Sequence, residues 1–326
     1  MPGLMDPLEL KDVRLRNRVV LPPMETKLAT AEGEVTEEML AHYRQFAPHL
    51  GMVIVEHSYV DPEGALHNKQ LGSHADALIP GLENLASEIK DCGAVAVLQL
   101  NHAGLKVEDN KIDSQPLGPS PSDPNEGRKL TVDEIEEIAH KFGRAAIRAE
   151  KAGFDGVEVH GAHGFLLNQF LSPLTNKRSD RFGGSFSSRA SFPLRVVEKI
   201  KGTIGDMVLL YRLGSVDLDP NGMDVEDGQR FASALEDYGV EVIDVSGGHC
   251  GSRPDQLDGS QGYFVPQAKE IKDAVGVPVI GVGGITKPEY ADRIVREEQV
   301  DLVAVGRAQW SNPDWAERAK VQLKKS

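Results

Sequence analysis

The residues with the clearest chemical potential are two histidines, His160 and His163, which follow a short apolar run and are separated by glycine and alanine. An apolar run that ends in small residues and histidines is typical of a buried strand that opens into a pocket. Two imidazoles three residues apart could bind a substrate oxygen, act as acid and base, or ligate a metal ion. Histidines that are only packed and hydrogen-bonded show the same spacing, so the surrounding residues must decide.

Two polar side chains interrupt apolar runs elsewhere in the chain, Arg212 within LLYRL and Gln99 within VLQL. A buried guanidinium needs an anionic or strongly accepting partner to offset its desolvation. An amide offers both a donor and an acceptor to the edge of a heterocycle. A structural ion pair for Arg212 and an amide satisfied by backbone for Gln99 stay open as alternatives.

Glycine-rich turns follow the last three apolar runs. They comprise Ser246, Gly247, Gly283, Gly284, Gly306 and Arg307. Backbone N–H groups beside an arginine side chain are a common arrangement for binding phosphate, although glycines can also serve only to permit tight turns. A phosphate site, a cation, an amide and two histidines at one end of a fold predict a nucleotide-like cofactor, and flavin mononucleotide (FMN) fits best.

These residues lie at the ends of eight apolar runs that alternate with helical patterns. The predicted strands are 19–21, 52–56, 95–100, 157–160, 208–213, 242–245, 279–282 and 302–305. The predicted helices are 36–47, 81–91, 132–152, 187–201, 226–238, 265–274, 288–297 and 313–324. Continuous apolar runs indicate parallel strands that are covered on both faces. Eight alternations predict an α/β fold, a (β/α)8 TIM barrel that forms a single domain over residues 1–326.

The connecting segments refine this prediction. Residues 8–18, within the N-terminal segment 1–18, alternate apolar and charged side chains and predict a hairpin that plugs the barrel. No G-x-G-x-x-G follows the first strand, which argues against a dinucleotide-binding open sheet. The longest irregular stretches, 101–130 and 164–186, follow the third and fourth strands. We therefore expect both at the carboxyl-terminal mouth, where such barrels keep their active sites.

Composition excludes several classes of function. Lys and Arg number 36 against 50 Asp and Glu, a formal charge of −14, and no basic stripe could neutralise a phosphate backbone. The only cysteines, Cys92 and Cys250, are far apart, so neither a disulfide framework nor a cysteine-bound cluster is encoded. The first ten residues lack a signal-peptide pattern, and no apolar stretch approaches a membrane span. We expect a cytoplasmic protein with no nucleic-acid or membrane partner.

The chain resembles the Old Yellow Enzyme family of flavin-dependent ene reductases and its relatives, the 2,4-dienoyl-CoA reductases. The most specific part is AGFDGVEVHGAHGFLLNQFLSPLTNKRSDRFGGS at 152–185. NRVVLPPM at 17–24, LQLNHAG at 98–104, YRL at 211–213 and the turns at Gly283 and Arg307 support it, so the similarity is nearly full length. It implies a short form without the Fe–S segment of the larger relatives, in which NAD(P)H reduces FMN directly.

The resemblance implies that a set of matching residues binds the flavin. Pro23, Met24 and His57 are similar to residues that contact the ring mainly through backbone, and Gln99 to one that hydrogen-bonds its pyrimidine edge. Arg212 matches a cation beside N1 and O2, where negative charge accumulates on reduction and a fixed guanidinium is stabilising.

The resemblance also implies a substrate and a reaction. His160 and His163 match the pair that binds the carbonyl or other acceptor group of an activated alkene, which makes the β-carbon a better hydride acceptor. NAD(P)H would reduce the flavin and leave. Flavin N5 would then pass hydride to an electron-poor alkene such as an enone, an enoyl ester or a thioester, while a proton reaches the α-carbon.

Three departures from the family pattern are expected to matter. Phe165 stands where the family usually has the tyrosine that donates the α-proton, so water or His249 is the expected donor, although His249 could equally be structural. Glu25 replaces a threonine or cysteine beside the flavin C4 carbonyl, where a carboxylate would oppose reduction unless it is protonated; a solvated loop position is the alternative. Lys27 replaces an aromatic substrate contact and suggests an anionic substrate tail.

Other classes of function remain as alternatives. An FMN barrel that acts on RNA, like the dihydrouridine synthases, needs a basic surface and a cysteine on the third loop, which NHAGLK lacks. A non-redox barrel could bind phosphate and use His160 and His163 as acid and base or as metal ligands. A third reading is a flavoprotein that only relays electrons. A homo-oligomer is compatible with each of these, and no metal site is predicted.

Overall fold

Eight parallel strands close into a barrel. The computed structural model describes residues 2–108, 115–123, 126–257 and 259–324. The strands are β1 Val19–Leu21, β2 Met52–Tyr59, β3 Val95–Asn101, β4 Gly156–Gly161, β5 Val208–Gly214, β6 Val242–Ser246, β7 Val279–Gly281 and β8 Leu302–Ala304. Each pairs with its neighbours in sequence, and β8 closes the ring by pairing Val303 with Val19. The predicted (β/α)8 barrel and all eight predicted strands are confirmed.

Eight helices surround the barrel and follow the strands in turn. They are α1 Glu37–Phe46, α2 Ile79–Asp91, α3 Val132–Lys151, α4 Phe186–Lys201, α5 Val225–Asp237, α6 Val265–Lys272, α7 Pro288–Arg296 and α8 Trp315–Leu323. Helix α3 begins with a reciprocal capping box between Thr131 and Glu134 and buries Ile138 and Phe142 on one face. This burial places the main core between the helices and the outer face of the barrel.

The hairpin closes the amino-terminal end of the barrel. Its strands, Leu8–Leu10 and Val13–Leu15, are antiparallel. Leu10 and Leu15 pack in one cluster with inward-facing side chains of the barrel strands, including Ile54. Because apolar side chains fill this end, polar chemistry is confined to the opposite mouth, where the carboxyl ends of the strands meet.

Two short helices were missed by the sequence prediction. Leu166–Leu171 lies inside the stretch predicted to be irregular, and Arg307–Ser311 follows β8 directly. Every residue of Leu166–Leu171 is buried, so it shows no alternation of apolar and polar residues that would mark a helix. Within the other long connection, residues 109–114 and 124–125 lie outside the described residues.

A search of the described part of the chain for a long, apolar helix able to cross a bilayer finds none.

Candidate active site

Strand register brings the predicted polar residues to one level of the barrel. Gln99 of β3 is paired with Glu158 of β4. Arg212 of β5 is paired on one side with His160 of β4 and on the other with Asp244 of β6. Since paired residues of parallel strands point to the same face, these five side chains share the barrel interior.

A buried charge cluster forms the floor of the mouth. Gln99 Nε2 donates to Glu158 Oε1 at 2.7 Å, and Arg212 Nε lies 3.4 Å from Asp244 Oδ2. Glu158 and Asp244 are fully buried. Burial raises the pKa of both carboxyls, and for Glu158 the Asp244 charge adds to that rise, against the opposing effect of Arg212. We infer that Glu158 holds a proton and that Asp244 is the counter-ion of Arg212.

Several polar atoms of this floor have no protein partner. Gln99 Oε1 and Arg212 Nε are buried without a hydrogen bond, and the guanidinium of Arg212 donates to none of the described residues. A buried donor or acceptor left unsatisfied costs about 1–3 kcal/mol. The structural ion pair considered for Arg212 is therefore present but incomplete. These atoms fit a planar, polar ligand that accepts from Arg212 and donates to Gln99.

The glycine-rich turns lie beside this floor. Gly283 and Gly284 have φ of +125° and +61°, where side chains are strained, and the guanidinium of Arg307 lies 3.7 Å from the Cβ position of Gly284. Met24 Sδ lies 2.7 Å from the Cβ position of Gly306, so the turn after β8 packs closely on the segment after β1, which also carries Pro23. Bare backbone beside one guanidinium fits the predicted phosphate site.

The two histidines lie side by side over the mouth. Their ring centroids are 5.1 Å apart, and the rings are nearly perpendicular. His160 Nδ1 accepts a hydrogen bond from the Ala162 N–H at 3.3 Å, so the neutral ring carries its proton on Nε2. His163 Nε2 lies 2.8 Å from Ser246 Oγ, and its backbone N–H donates to the Gly247 carbonyl.

Backbone strain positions the second histidine. His163 adopts a left-handed φ of +58°, and Gly164 follows with +71°. For a residue with a Cβ this conformation costs about 1–2 kcal/mol. This conformation packs no apolar side chain, and it directs the imidazole toward Ser246 at the end of β6. We interpret the strain as a positioning device for His163.

Acidification should destabilise the protein because both histidines are held neutral. Burial lowers the pKa of His160 and His163 well below the usual range, and nearby cations add to the effect. Unfolded histidine takes up its proton near pH 6.5. Below that pH the unfolded chain binds more protons than the folded chain, so the free energy of unfolding falls.

We expect each histidine to contribute a loss of up to about 1.4 kcal/mol per pH unit below pH 6.5. Urea unfolding of the protein between pH 7.5 and 5.5 measures the total. The variant His160→Asn/His163→Asn should lose less over the same interval. Equal losses in the two proteins would contradict the neutral state of the pair.

Phe165 completes the wall of the mouth. Its ring centroid lies 4.8 Å from that of His160 and 5.5 Å from that of His57, and its side chain is buried. The phenylalanine ring therefore packs against His160 and His57. It offers no proton at this position.

Glu25 is held between two histidines. Its Oε1 lies 2.5 Å from His67 Nε2 and 3.5 Å from His57 Nε2. His67 Nδ1 accepts from the Lys69 N–H and His57 Nδ1 lies 2.6 Å from Gln70 Nε2, so both rings point Nε2–H at the carboxylate. Burial alone would raise the pKa of Glu25, but these histidines outweigh it and hold the pKa well below its usual value. The structure thus favours the ionised carboxylate over the protonated form considered above.

Three further basic side chains border the mouth. Lys27 lies 3.7 Å from Glu25 Oε2, so part of its charge is already compensated. Lys106 donates to the His163 carbonyl at 2.7 Å and lies over the Phe165 ring at 5.7 Å from the centroid. His249 is exposed, and its Nδ1 lies 3.4 Å from the Cβ position of Gly164.

Sequence reasoning missed Asp244, His67 and Lys106. Asp244 could have been found, because an aspartate inside the apolar run VIDVS carries the same signal as Arg212 inside LLYRL. His67 and Lys106 lie on loops that are distant in sequence from Glu25 and Phe165, and no local pattern announces either contact. Among the described residues no cluster of three or more His, Cys, Asp or Glu side chains is arranged to hold a metal ion.

The eight strands form a TIM barrel, and the polar side chains of its interior meet at the carboxyl-terminal mouth. The chain belongs to the NADH:flavin oxidoreductase / NADH oxidase family, whose model matches residues 3–326. Membership confirms the predicted resemblance, the predicted class of enzyme and the FMN cofactor with a nicotinamide reductant. The roles of individual residues, the single-domain organisation, the oligomeric state, the cytoplasmic location and the absence of nucleic-acid partners stay predictions.

Individual relatives agree with this assignment. An NADH oxidase from Thermoanaerobacter brockii is 40% identical over 330 residues, covering 98% of this chain and 51% of its own length. An old yellow enzyme homologue from Zymomonas mobilis superposes with a TM-score of 0.85 at 26% identity, covering 98% of this chain and 93% of its own. Morphinone reductase superposes with a TM-score of 0.85 at 27% identity, covering 98% of this chain and 90% of its own. The chain thus spans about half the length of the NADH oxidase.

Proposed function

We propose that this chain transfers hydride from NAD(P)H, through FMN, to an electron-poor alkene such as an enone, an enoyl ester or a thioester. The observation that carries the proposal is the pair of neutral imidazoles beside Arg212 and Phe165. When bound, FMN supplies the transfer of hydride between the nicotinamide and the alkene. The residues of the chain bind, orient and polarise the reactants.

His160 and His163 are proposed to bind the carbonyl oxygen of the alkene. A neutral imidazole with its proton on Nε2 can donate to that oxygen, and burial keeps His160 in this form near neutral pH. His163 can donate when its Nε2 contact with Ser246 gives way to substrate. Two donors on the oxygen withdraw electron density from the β-carbon, and they act more strongly in a site sheltered from water.

Arg212 and Gln99 are proposed to bind the pyrimidine side of the flavin. Gln99 Nε2 is committed to Glu158, so only its free Oε1 can accept a ligand N–H. The free N–H groups of Arg212 would donate to the edge that becomes negative on reduction. Backbone of Pro23, Met24 and His57 would border the ring.

The turns after the last strands are proposed to bind the phosphate of FMN. Backbone N–H groups near Gly283, Gly284 and Gly306 are close to the mouth, as are Ser246 at the end of β6 and Gly247 directly after it. Arg307 supplies the countercharge, and among the described residues it forms no ion pair. A guanidinium is suited to bidentate binding of phosphate.

Glu25→Gln should raise the reduction potential of the bound FMN. The ionised carboxylate opposes the negative charge that reduction brings, and glutamine keeps the volume while removing the charge. We expect a rise on the order of 20–40 mV, about 1–2 kcal/mol for a two-electron couple. Spectroelectrochemical titration measures it. An unchanged potential would place Glu25 too far from the ring to act on it.

The proposal is tested by separating its two half-reactions. FMN-loaded protein is first mixed anaerobically with NADH or NADPH, and bleaching of the flavin absorbance reports reduction. Cyclic enones, nitroalkenes and enoyl thioesters are then added, and return of the absorbance with formation of saturated product reports turnover. A protein that is reduced but transfers hydride to no alkene would contradict the proposal and leave an electron-relay role.

A second candidate acceptor is dioxygen. The relative from Thermoanaerobacter brockii is called an NADH oxidase, and the protons that reduction of oxygen consumes can come from water, so the lack of a hydroxyl on Phe165 does not oppose it. Consumption of NADH in air, without alkene and with stoichiometric formation of peroxide or water, would support this acceptor. Its rate should be compared with the anaerobic rate on each alkene.

A further inference from the structure

Alkene reduction requires a proton at the α-carbon, and the Phe165 side chain has no hydroxyl to give it. Phe165 occupies the wall of the mouth, in ring contact with His57 and His160. This inference rests on the proposed function, because it concerns the donor that completes the same reaction. The candidates are the basic groups that face Phe165.

Lys106 is the lysine that the structure holds over the Phe165 ring. The imidazole of His57 lies slightly nearer to that ring, but its Nε2 faces the Glu25 carboxylate at 3.5 Å. The Lys106 Nζ lies 5.7 Å from the ring centroid and is fixed by a 2.7 Å hydrogen bond to the His163 carbonyl. The same Nζ lies 3.2 Å from the Cβ position of Gly164, which belongs to the strained turn that orients His163. The ammonium is therefore tied to the segment that positions the proposed substrate ligand.

Competing donors are less well placed. Lys27 lies 3.7 Å from the Glu25 carboxylate, and Arg212 faces Asp244. The imidazole of His249 is exposed and makes no hydrogen bond to a described residue, whereas its backbone N–H is bound by Asp217. Lys106 has no carboxylate within ion-pair distance among the described residues, so no counter-ion stabilises its proton.

We propose that Lys106 is the catalytic residue that protonates the α-carbon. The C–H bond forms with a proton of the ammonium, the N–H bond breaks, and its electron pair stays on the amine. The hydride that NAD(P)H supplies through the flavin brings the electron pair of the new bond at the β-carbon, and the displaced π pair of the alkene forms the new bond at the α-carbon. The amine regains a proton from water, because Lys106 is exposed at the open mouth.

The environment of Lys106 suits this role. Partial burial of the ammonium lowers the pKa of Lys106 from its usual value. A donor whose pKa lies closer to the working pH is a stronger general acid. One N–H is used by the His163 carbonyl, and the other two make no hydrogen bond to a described residue.

Lys106→Met should slow reoxidation of the reduced flavin by a cyclic enone about 100-fold or more, the usual contribution of general acid catalysis. Reduction by NAD(P)H should keep its rate. Reoxidation by a nitroalkene should also keep its rate, because the nitronate product is stable in water and can leave without a proton. Lys320→Met, which removes an exposed lysine of α8, is the matched control and should behave as the native protein.

Lys106→Arg separates acid catalysis from simple electrostatics. Arginine keeps the positive charge but does not release its proton in this pH range, so it should not restore enone reduction. Recovery in Lys106→Arg, or native enone rates in Lys106→Met, would overturn the assignment. An enone-specific loss in His249→Gln with native rates in Lys106→Met would give the role to His249 instead.

The pKa of Lys106 can also be measured by NMR spectroscopy, without turnover. Lysines are converted to their ¹³C-dimethyl forms, and the Lys106 signal is identified by its absence in Lys106→Met. The pKa measured from this signal should be lower than the pKa of the other lysines, and a pKa equal to theirs would contradict the inference. If the native flavin is not reduced, or no alkene reoxidises it, the proposed function itself fails and the inference falls with it.

Discussion

Replacing His160 with alanine is expected to lower the rate at which an enone reoxidises the reduced flavin by about 100- to 1,000-fold, equivalent to about 2.7–4 kcal/mol of transition-state stabilisation. The imidazole carries its proton on Nε2 and is buried at the mouth, so alanine at this position removes one of the two proposed donors to the substrate oxygen. His163→Ala should give a loss of similar size. Stopped-flow reoxidation with a saturating enone measures both.

The backbone at His163 calls for a control. Its φ of +58° is strained for alanine as well, so His163→Ala could lose activity because the turn rearranges. Asparagine tolerates the left-handed region and keeps an N–H donor. We therefore expect His163→Asn to retain much more activity than His163→Ala, with native FMN binding in both. Equal loss in both variants would show that the imidazole itself is required, because asparagine preserves the turn.

The fold was largely predictable because its signals are periodic and local. Eight apolar runs and eight amphipathic helices follow one another, and the capping box at Thr131 and Glu134 marks the start of α3 to the residue. Predicted boundaries differ from the structure by a few residues. The helix Leu166–Leu171 was not predicted because all of its side chains are buried, which removes the alternation of apolar and polar residues on which such predictions depend.

The candidate site was predictable only where a polar residue interrupts an apolar strand. Arg212 and Gln99 stood out in this way, and strand register then paired Arg212 with His160 and Gln99 with Glu158. The ionised state of Glu25 could not be foreseen, because it depends on His67, which is 42 residues away in sequence. Loop geometry sets such contacts, and no pattern in a single sequence encodes it.

Arg212→Met should lower the reduction potential of bound FMN. A unit charge about 4 Å away, at the effective dielectric of a partly buried site, contributes about 4 kcal/mol, which corresponds to about 90 mV for a two-electron couple. Arg212 is 5% exposed and has free N–H groups, so solvent screens it little. Arg144→Met, which removes an exposed arginine of α3, should leave the potential unchanged.

The size of this shift depends on how Asp244 responds. Arg212 lowers the pKa of Asp244 against the larger effect of burial, so removing the guanidinium favours uptake of a proton by Asp244. At pH values at which Asp244 holds that proton, Arg212→Met and Arg212→Met/Asp244→Asn should have the same reduction potential. As the pH rises and Asp244 loses the proton, its negative charge should drive the potential of Arg212→Met below that of the double variant. A constant difference between the two across pH would show that Asp244 does not titrate, and equal potentials at every pH would show that its charge does not reach the flavin.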